Sequence, residues 1–342
     1  ASDFNPALLN DPSNTSNFLT KVDVQQPLFN LDANMMRKSA NKQIEVYQLS
    51  EKRTKETIAY ETKKAYLQLQ MAYEAEVVLS ESMKASKAMY VFVNERFAQG
   101  YVSKADLLNT QVQVSMMENR LAEVRSNIKN ASDYLSLLMG KQTGQVYKTT
   151  DLVASSSEVS SNKLPENRAD FLAMQKAIES SDWMTKSGKM SYLPKLNAFG
   201  SYYLNDKEAL GFGSNSYFAG LQLSWDVFKG TKTRHVIESQ RLTSEKLTSQ
   251  LASQKSQNQL LVNKTERELS DNLLALQQHE LAVKQAEEAY KLLDGRFKQG
   301  LVTTSDLLLS HAQLEQQKLG HKQAIINSQL LTAYLQFLTV SE

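Results

Sequence analysis

The residue types that carry most enzyme and metal chemistry are sparse and poorly spaced in this chain. Its four histidines, His235, His279, His311 and His321, include no pair at the i, i+4 spacing of a helical zinc site, and the last two are ten residues apart. Cysteine is absent, which removes disulfides, thiolate metal sites and thiol nucleophiles. Met35-Met36 and Met116-Met117 could offer thioethers to Cu(I), but methionine is a common filler of helical cores, so packing is the expected role. No glycine-rich phosphate loop or nucleophile motif occurs. The expectation is therefore no enzyme: no catalytic residue, no metal and no cofactor. A formal net charge of +2 sets up no global field for nucleic acid, and Lys52-Arg53-Thr54-Lys55, flanked by Glu51 and Glu56, reads as a solvated helix face. What remains is a matched pair of aspartates, Asp106 and Asp306. Their chemistry is that of charge. Either they only hold the starts of helices, or they also line a passage.

The surroundings of those aspartates match because the chain repeats itself with an offset of about two hundred residues. Arg96-Phe97-Ala98-Gln99-Gly100-Tyr101-Val102-Ser103-Lys104-Ala105-Asp106-Leu107-Leu108 recurs as Arg296-Phe297-Lys298-Gln299-Gly300-Leu301-Val302-Thr303-Thr304-Ser305-Asp306-Leu307-Leu308, with eight of thirteen positions identical. In each copy the glycine suits the left-handed residue that ends a helix. Ser103 and Thr303 then suit N-caps, with an aspartate three residues later, as in a capping box. An acid in a first turn also suits the helix dipole. The motif predicts a tight helical hairpin tip, twice.

Long helices must hold these tips. Neither proline nor glycine occurs between Leu28 and Gln99, or between Thr231 and Asp294. A continuous helix of about 65 residues would be roughly 100 Å long, a length found in packed coils. The returning helix of the first copy carries a seven-residue apolar repeat at Leu107, Val114, Leu121, Ile128 and Leu135, with Met117, Val124, Ala131 and Leu138 beside it. The second copy keeps Leu307, Leu314, Leu331, Leu335 and Leu338, with His321 and Ser328 at seam-equivalent places.

Ahead of the second long helix, Tyr217 to Phe228 alternates apolar and polar residues, as does roughly Leu196 to Asn205, so two strands with one apolar and one wet face are expected there. Phe18, Val22, Val24 and Leu28 mark the equivalent later strand of the first copy, whose predecessor is expected before Ala1 or within the first few residues. The chain divides into repeat 1 over 1–138, a polar connector over 139–165, and repeat 2 over 166–342, in which Asn167 or Asp170 caps a helix to about Lys186. The opening Ala1-Ser2-Asp3 has no initiator methionine, as in a processed or truncated product.

No run of eighteen apolar residues exists, so a membrane could be crossed only by strands. Two full repeats would supply four strands, whereas a spanning barrel needs at least about eight. Several chains must then pool strands, with their long helices packed around the same axis. A pore continued by a hollow helical cylinder conducts; it does not catalyse. A soluble coiled-coil scaffold of the envelope is the alternative, which the alternating strands argue against.

The doubled Arg-Phe-x-Gln-Gly-x-Val-x-x-x-Asp-Leu-Leu tips resemble those of TolC-like outer-membrane efflux proteins. So do Asn167-Arg168-Ala169-Asp170-Phe171, Tyr192-Leu193-Pro194-Lys195-Leu196, and Trp225-Asp226-Val227-Phe228-Lys229-Gly230. The resemblance covers nearly the whole chain and implies a mainly α fold with a small transmembrane β part. It implies a homotrimer in the outer membrane of a Gram-negative cell, a twelve-stranded barrel in lipid and an α-helical tunnel in the periplasm. It further implies a periplasmic adaptor and an inner-membrane transporter as partners, and passive export through a tripartite pump or type I secretion system. On this resemblance Arg96, Phe97, Gln99, Gly100, Val102, Ser103 and Leu107, with Arg296, Phe297, Gln299, Gly300, Val302, Thr303 and Leu307, form adaptor-docking tips. Asp106 and Asp306 stand at the periplasmic aperture, and Tyr202, Tyr203, Tyr217 and Trp225 form the membrane-interface aromatics. Two departures stand out. Many members place another acid where this chain has Leu309, and members carry an N-terminal helical segment and first strand ahead of the point matching Asn17.

Overall fold

The computed structural model describes residues 18–150, 163–206 and 212–340. Their order is β1 (Phe18–Phe29), α1 (Leu31–Ala98), α2 (Lys104–Leu138), α3 (Ala169–Met190), β2 (Lys195–Asp206), β3 (Ser214–Ser224), α4 (Lys232–Lys298) and α5 (Thr304–Thr339). The expected predecessor of β1 lies outside the described residues. The fold is mainly helical, with one small antiparallel sheet. It divides into two compact units, one formed by 1–48 with 172–252 and the other by 49–171 with 253–342, so each draws on both repeats.

The first unit holds the sheet, in the order β1-β2-β3. Directly paired residues share a face of an antiparallel sheet, so the register separates two surfaces. One carries Val22, Tyr202 and Tyr217, then Val24, Gly200 and Ala219, then Gln26, Ala198 and Leu221, then Leu196 and Leu223. The other carries Lys21, Tyr203 and Ser216, then Asp23, Ser201 and Phe218, then Gln25, Phe199 and Gly220, then Pro27, Asn197 and Gln222. The first surface is mostly apolar over these rows and continues to Thr20, Leu204 and Asn215. The second is mostly polar, and its Asp23 accepts from Ser201 Oγ at 2.5 Å and pairs with Lys21 at 3.0 Å.

Strand β3 ends at Ser224, four residues before the alternating pattern does. The Trp225 indole donates to the Tyr192 carbonyl at 3.0 Å, Asp226 pairs with Lys229, and Gly230 turns the chain at φ +64°. These local bonds replace ladder pairing. Helix α3 also differs from expectation. It begins at Ala169 and runs past Lys186 to Met190, and the Asp170 carboxylate does not cap it. That carboxylate takes both arms of the buried Arg168 guanidinium, at 2.6 and 2.7 Å, while a third Arg168 nitrogen donates to the Leu338 carbonyl at 2.9 Å.

In the second unit the heptad seam of α2 meets α1. Ala65 and Leu69 pack on Ile128 and Leu135, and Leu79 and Met83 pack on Met117. Met117 is therefore core, as expected, whereas Met36 and Met116 are exposed. Helix α5 is joined to α4 by Val262, Leu335 and Leu338. The described start of the connector lies along α1, held by Tyr66 Oη to Thr150 Oγ1 at 2.9 Å and by Tyr73 Oη to the Tyr147 carbonyl at 2.8 Å.

Candidate functional site at the paired hairpin tips

Both tips have the expected construction. Gly100 and Gly300 sit at φ +78° and +76°. The amide of each donates to the carbonyl of Phe97 or Phe297 at 2.9 Å, and the next amide reaches back to Arg96 or Arg296 at 2.9 and 3.0 Å, which is the Schellman closure. Three residues on, the Ser103 and Thr303 hydroxyls accept from the Asp106 and Asp306 amides at 3.2 Å. Each carboxylate accepts in return from the cap amide and the cap hydroxyl, the latter at 2.6 and 2.7 Å. Hydrogen bonds from the Thr303 hydroxyl and then its amide hold the Asp306 carboxyl below the usual range. Capping uses one oxygen of each aspartate. It keeps Asp306 ionised at an exposed position.

The two tips are not equivalent. Phe297 and Leu307 are buried with Met89 and Val93, while Val102, Leu107 and Val302 pack at the edge of the same cluster. The rings of Phe92 and Phe297 lie 5.4 Å apart. Phe97, the repeat partner of Phe297, is instead exposed. Arg96 spans the pair: its Nη2 donates to the Lys298 carbonyl at 2.9 Å, and its guanidinium lies over Phe92 and Tyr101 at 5.2 and 5.7 Å. Thus Arg96 caps the end of the other hairpin's long helix. Arg296 is exposed and has no ion-pair partner among the described residues. Gln99 and Gln299 are exposed beside the glycines. A groove of about 270 Å³ opens between the tips, lined by Arg96, Tyr101, Asp106, Gly300 and Thr303 over Phe92 and Phe297.

Sequence reading missed the apolar rim of this site. Tyr101, Leu301 and Leu309 are each about 70% exposed, and an alternation of seam and surface could have found them. It also missed the polar core behind the tips. Glu315 is buried, accepting from Ser82 Oγ at 2.8 Å and from Arg120 Nη1 at 2.7 Å. His311, one turn earlier on α5, is 5% exposed and its Nδ1 has no partner. Burial, with a smaller contribution from Lys318 and against the pull of Glu315, holds its pKa below the ordinary value.

The four aromatics occupy the first unit. Tyr202 and Tyr217 face each other on the apolar surface and Tyr203 lies on the opposite one. Trp225 lies past the end of β3, beside the start of β2. Among the described residues no group of three or more His, Asp or Glu is placed to hold a metal, and no helix is long and apolar enough to cross a membrane.

The model of the outer membrane efflux protein family matches residues 7–141 and 161–338. A comparison with characterised protein sequences finds no match. Among solved structures the chain is similar to CusC, described for its folding and transmembrane channel formation, with a TM-score of 0.83, 12% identity, and coverage of 95% of this chain and 78% of that one. It is similar to the Campylobacter jejuni CmeC outer membrane channel, with a TM-score of 0.79 and 14% identity over 97% and 74%. The outer membrane protein VceC of Vibrio cholerae gives 0.78 and 14% identity over 95% and 87%. These likenesses are of fold.

Proposed function

The chain belongs to the outer membrane efflux protein family, and on that premise we propose that it is the exit duct of a tripartite efflux pump or a type I secretion system. The observation that carries the proposal is the sheet. Three described strands of 12, 12 and 11 residues are long enough to cross lipid when tilted, and they present one apolar and one polar surface. Three strands cannot close, and an open edge cannot sit in hydrocarbon. Pooling strands from three copies reaches barrel size, with the apolar surface toward lipid and the polar one toward water. Tyr202 and Tyr217 lie about seven residues along their strands from the Trp225 end, or about 23 Å. With the strands tilted by about 35–45°, that span covers about 16–19 Å of the roughly 25 Å height of a lipid-facing band.

The helical hairpins then continue the duct into the periplasm, and their tips receive an adaptor coupled to an inner-membrane transporter. Phe97, Tyr101, Leu301 and Leu309 supply exposed apolar contact there, while Arg96, Ser103, Thr303 and the glycines hold the turns that present it. Asp106 and Asp306 of three chains place six carboxylates at the aperture, a ring that favours cations. The duct has no catalytic role.

Detergent dependence tests this reading. The purified full-length protein is expected to be a monodisperse trimer in detergent and to aggregate when detergent is withdrawn. A monodisperse species without detergent would sink the barrel and favour the coiled-coil scaffold.

A further inference from the structure

Three chain segments meet at one end of the sheet. The register pairs Phe29 with Leu196, and Lys195 with Ser224, at this end. The start of α1, the end of α3 and the start of α4 converge there, tied by Ser187 Oγ to the Asp32 carbonyl at 2.9 Å and by Trp225 to Tyr192. Gly188 lies so close to Ile237 that a Cβ would meet it at 2.9 Å. Segments 30–38, 186–195 and 225–237 contain eight Lys or Arg against two Asp, in a chain whose overall net charge is only +2.

Both acids are already committed, Asp32 to Lys195 at 2.5 Å and Asp226 to Lys229. Arg37, Lys38, Lys186, Lys189, Lys232 and Arg234 are exposed, and none forms a salt bridge among the described residues. The acid nearest Arg234 along α4, Glu238, is paired with Arg241 at 2.7 Å and is only a weaker, longer-range partner of Arg234. Farther along α1 and α3, charges pair in the ordinary way, as Lys42 does with Glu45 and Glu179. The first turn of α4 has no acid and carries Lys232 and Arg234 against the sense of its dipole, an arrangement that disfavours the helix unless an anion is near. Lys38 and Lys186 flank the Trp183 ring at 4.6 and 4.1 Å. Beside these cations Tyr192, Trp225, Val227 and Phe228 are all more than half exposed.

Cations without a salt bridge among the described residues, next to an exposed aromatic band at the end of an apolar strand surface, match one partner chemistry, a lipid surface with phosphodiester headgroups. We infer that this collar binds anionic phospholipid of the leaflet that faces the helices, with Arg37, Lys38, Lys186, Lys189, Lys232 and Arg234 contacting the headgroups. The inference rests on the reading that the sheet lies in the membrane. It adds a preference for headgroup charge, which membrane insertion alone does not require.

The test reconstitutes the full-length trimer into nanodiscs of phosphatidylcholine mixed with phosphatidylglycerol and measures by native mass spectrometry which lipid the released trimer retains. Each basic residue at an anionic surface changes affinity by about fivefold. The expected result is retention of phosphatidylglycerol over phosphatidylcholine, weakened by salt. It falls at least about tenfold in the K38Q/K186Q/K232Q/R234Q variant. Insertion with equal retention of both lipids by the unsubstituted protein would overturn the collar and leave the membrane reading standing. Failure to insert into either lipid would overturn both. Displacement of phosphatidylglycerol by inorganic phosphate at an ionic strength where chloride leaves it bound would also overturn the inference, by reducing the collar to a generic anion site.

Discussion

At Gly300 the backbone needs a left-handed residue and nothing lies within 4 Å of an added Cβ, so the cost of replacement is conformational rather than steric. Gly300→Val should strain the turn by about 1–3 kcal/mol and misplace Leu301 and Val302. The expected outcome is impaired export and adaptor cross-linking, with trimer yield unchanged. Unimpaired export would remove the docking role from this turn. His311 makes a separate prediction. Its folded pKa lies below the ordinary 6.5 because it is buried, so the unfolded chain takes up the proton first on acidification. Stability is then full above the unfolded pKa and declines as pH falls through that value toward the folded one. Replacing His311 by Phe keeps a ring against Tyr290, now 5.2 Å away, and loses no hydrogen bond at Nδ1. Hydrogen exchange in α5, corrected for the intrinsic rate at each pH, should accelerate between about pH 7 and pH 5 in the unsubstituted protein and stay flat in His311→Phe. Equal acceleration in both would assign the acid sensitivity to another group.

At the scale of elements, the sheet's two surfaces predict opposite responses at neighbouring positions. Leu221→Lys puts an ammonium on the apolar surface, at about 2–4 kcal/mol in lipid, and should abolish insertion into vesicles. Gln222→Lys faces the other way and should insert normally. Equal insertion of the two variants would contradict the assignment of faces. What was legible in the sequence follows the range of the forces involved. The tips were legible down to single hydrogen bonds, because the Schellman and capping-box bonds span only a few residues. The long helices were legible from the absence of breakers, and the α2 seam from its period. The end of β3 was not, because Trp225 and Val227 continue the alternation while the Trp225 bond to Tyr192 is made 33 residues away. Nor was the polar seam of α5. Glu315 and His311 look like surface residues until Ser82 and Arg120, from two other helices, are seen around them. The non-equivalence of Phe97 and Phe297 was equally hidden, since their local sequences match and only packing between the hairpins separates them.

At the scale of the whole molecule, the account makes the chain one third of a conduit that is complete only as a trimer. Strands with one apolar surface, hairpin tips capped by aspartates and the efflux-family match support the proposal of passive conduction. The most direct measurement is single-channel recording of the reconstituted trimer in a planar bilayer. The account predicts discrete openings with a preference for cations that weakens in the D106N/D306N double variant, in which the caps keep an acceptor oxygen and the charge is lost. A protein that inserts as a trimer yet shows no discrete conductance, under conditions that open the tips, would contradict the claim that this chain builds a channel.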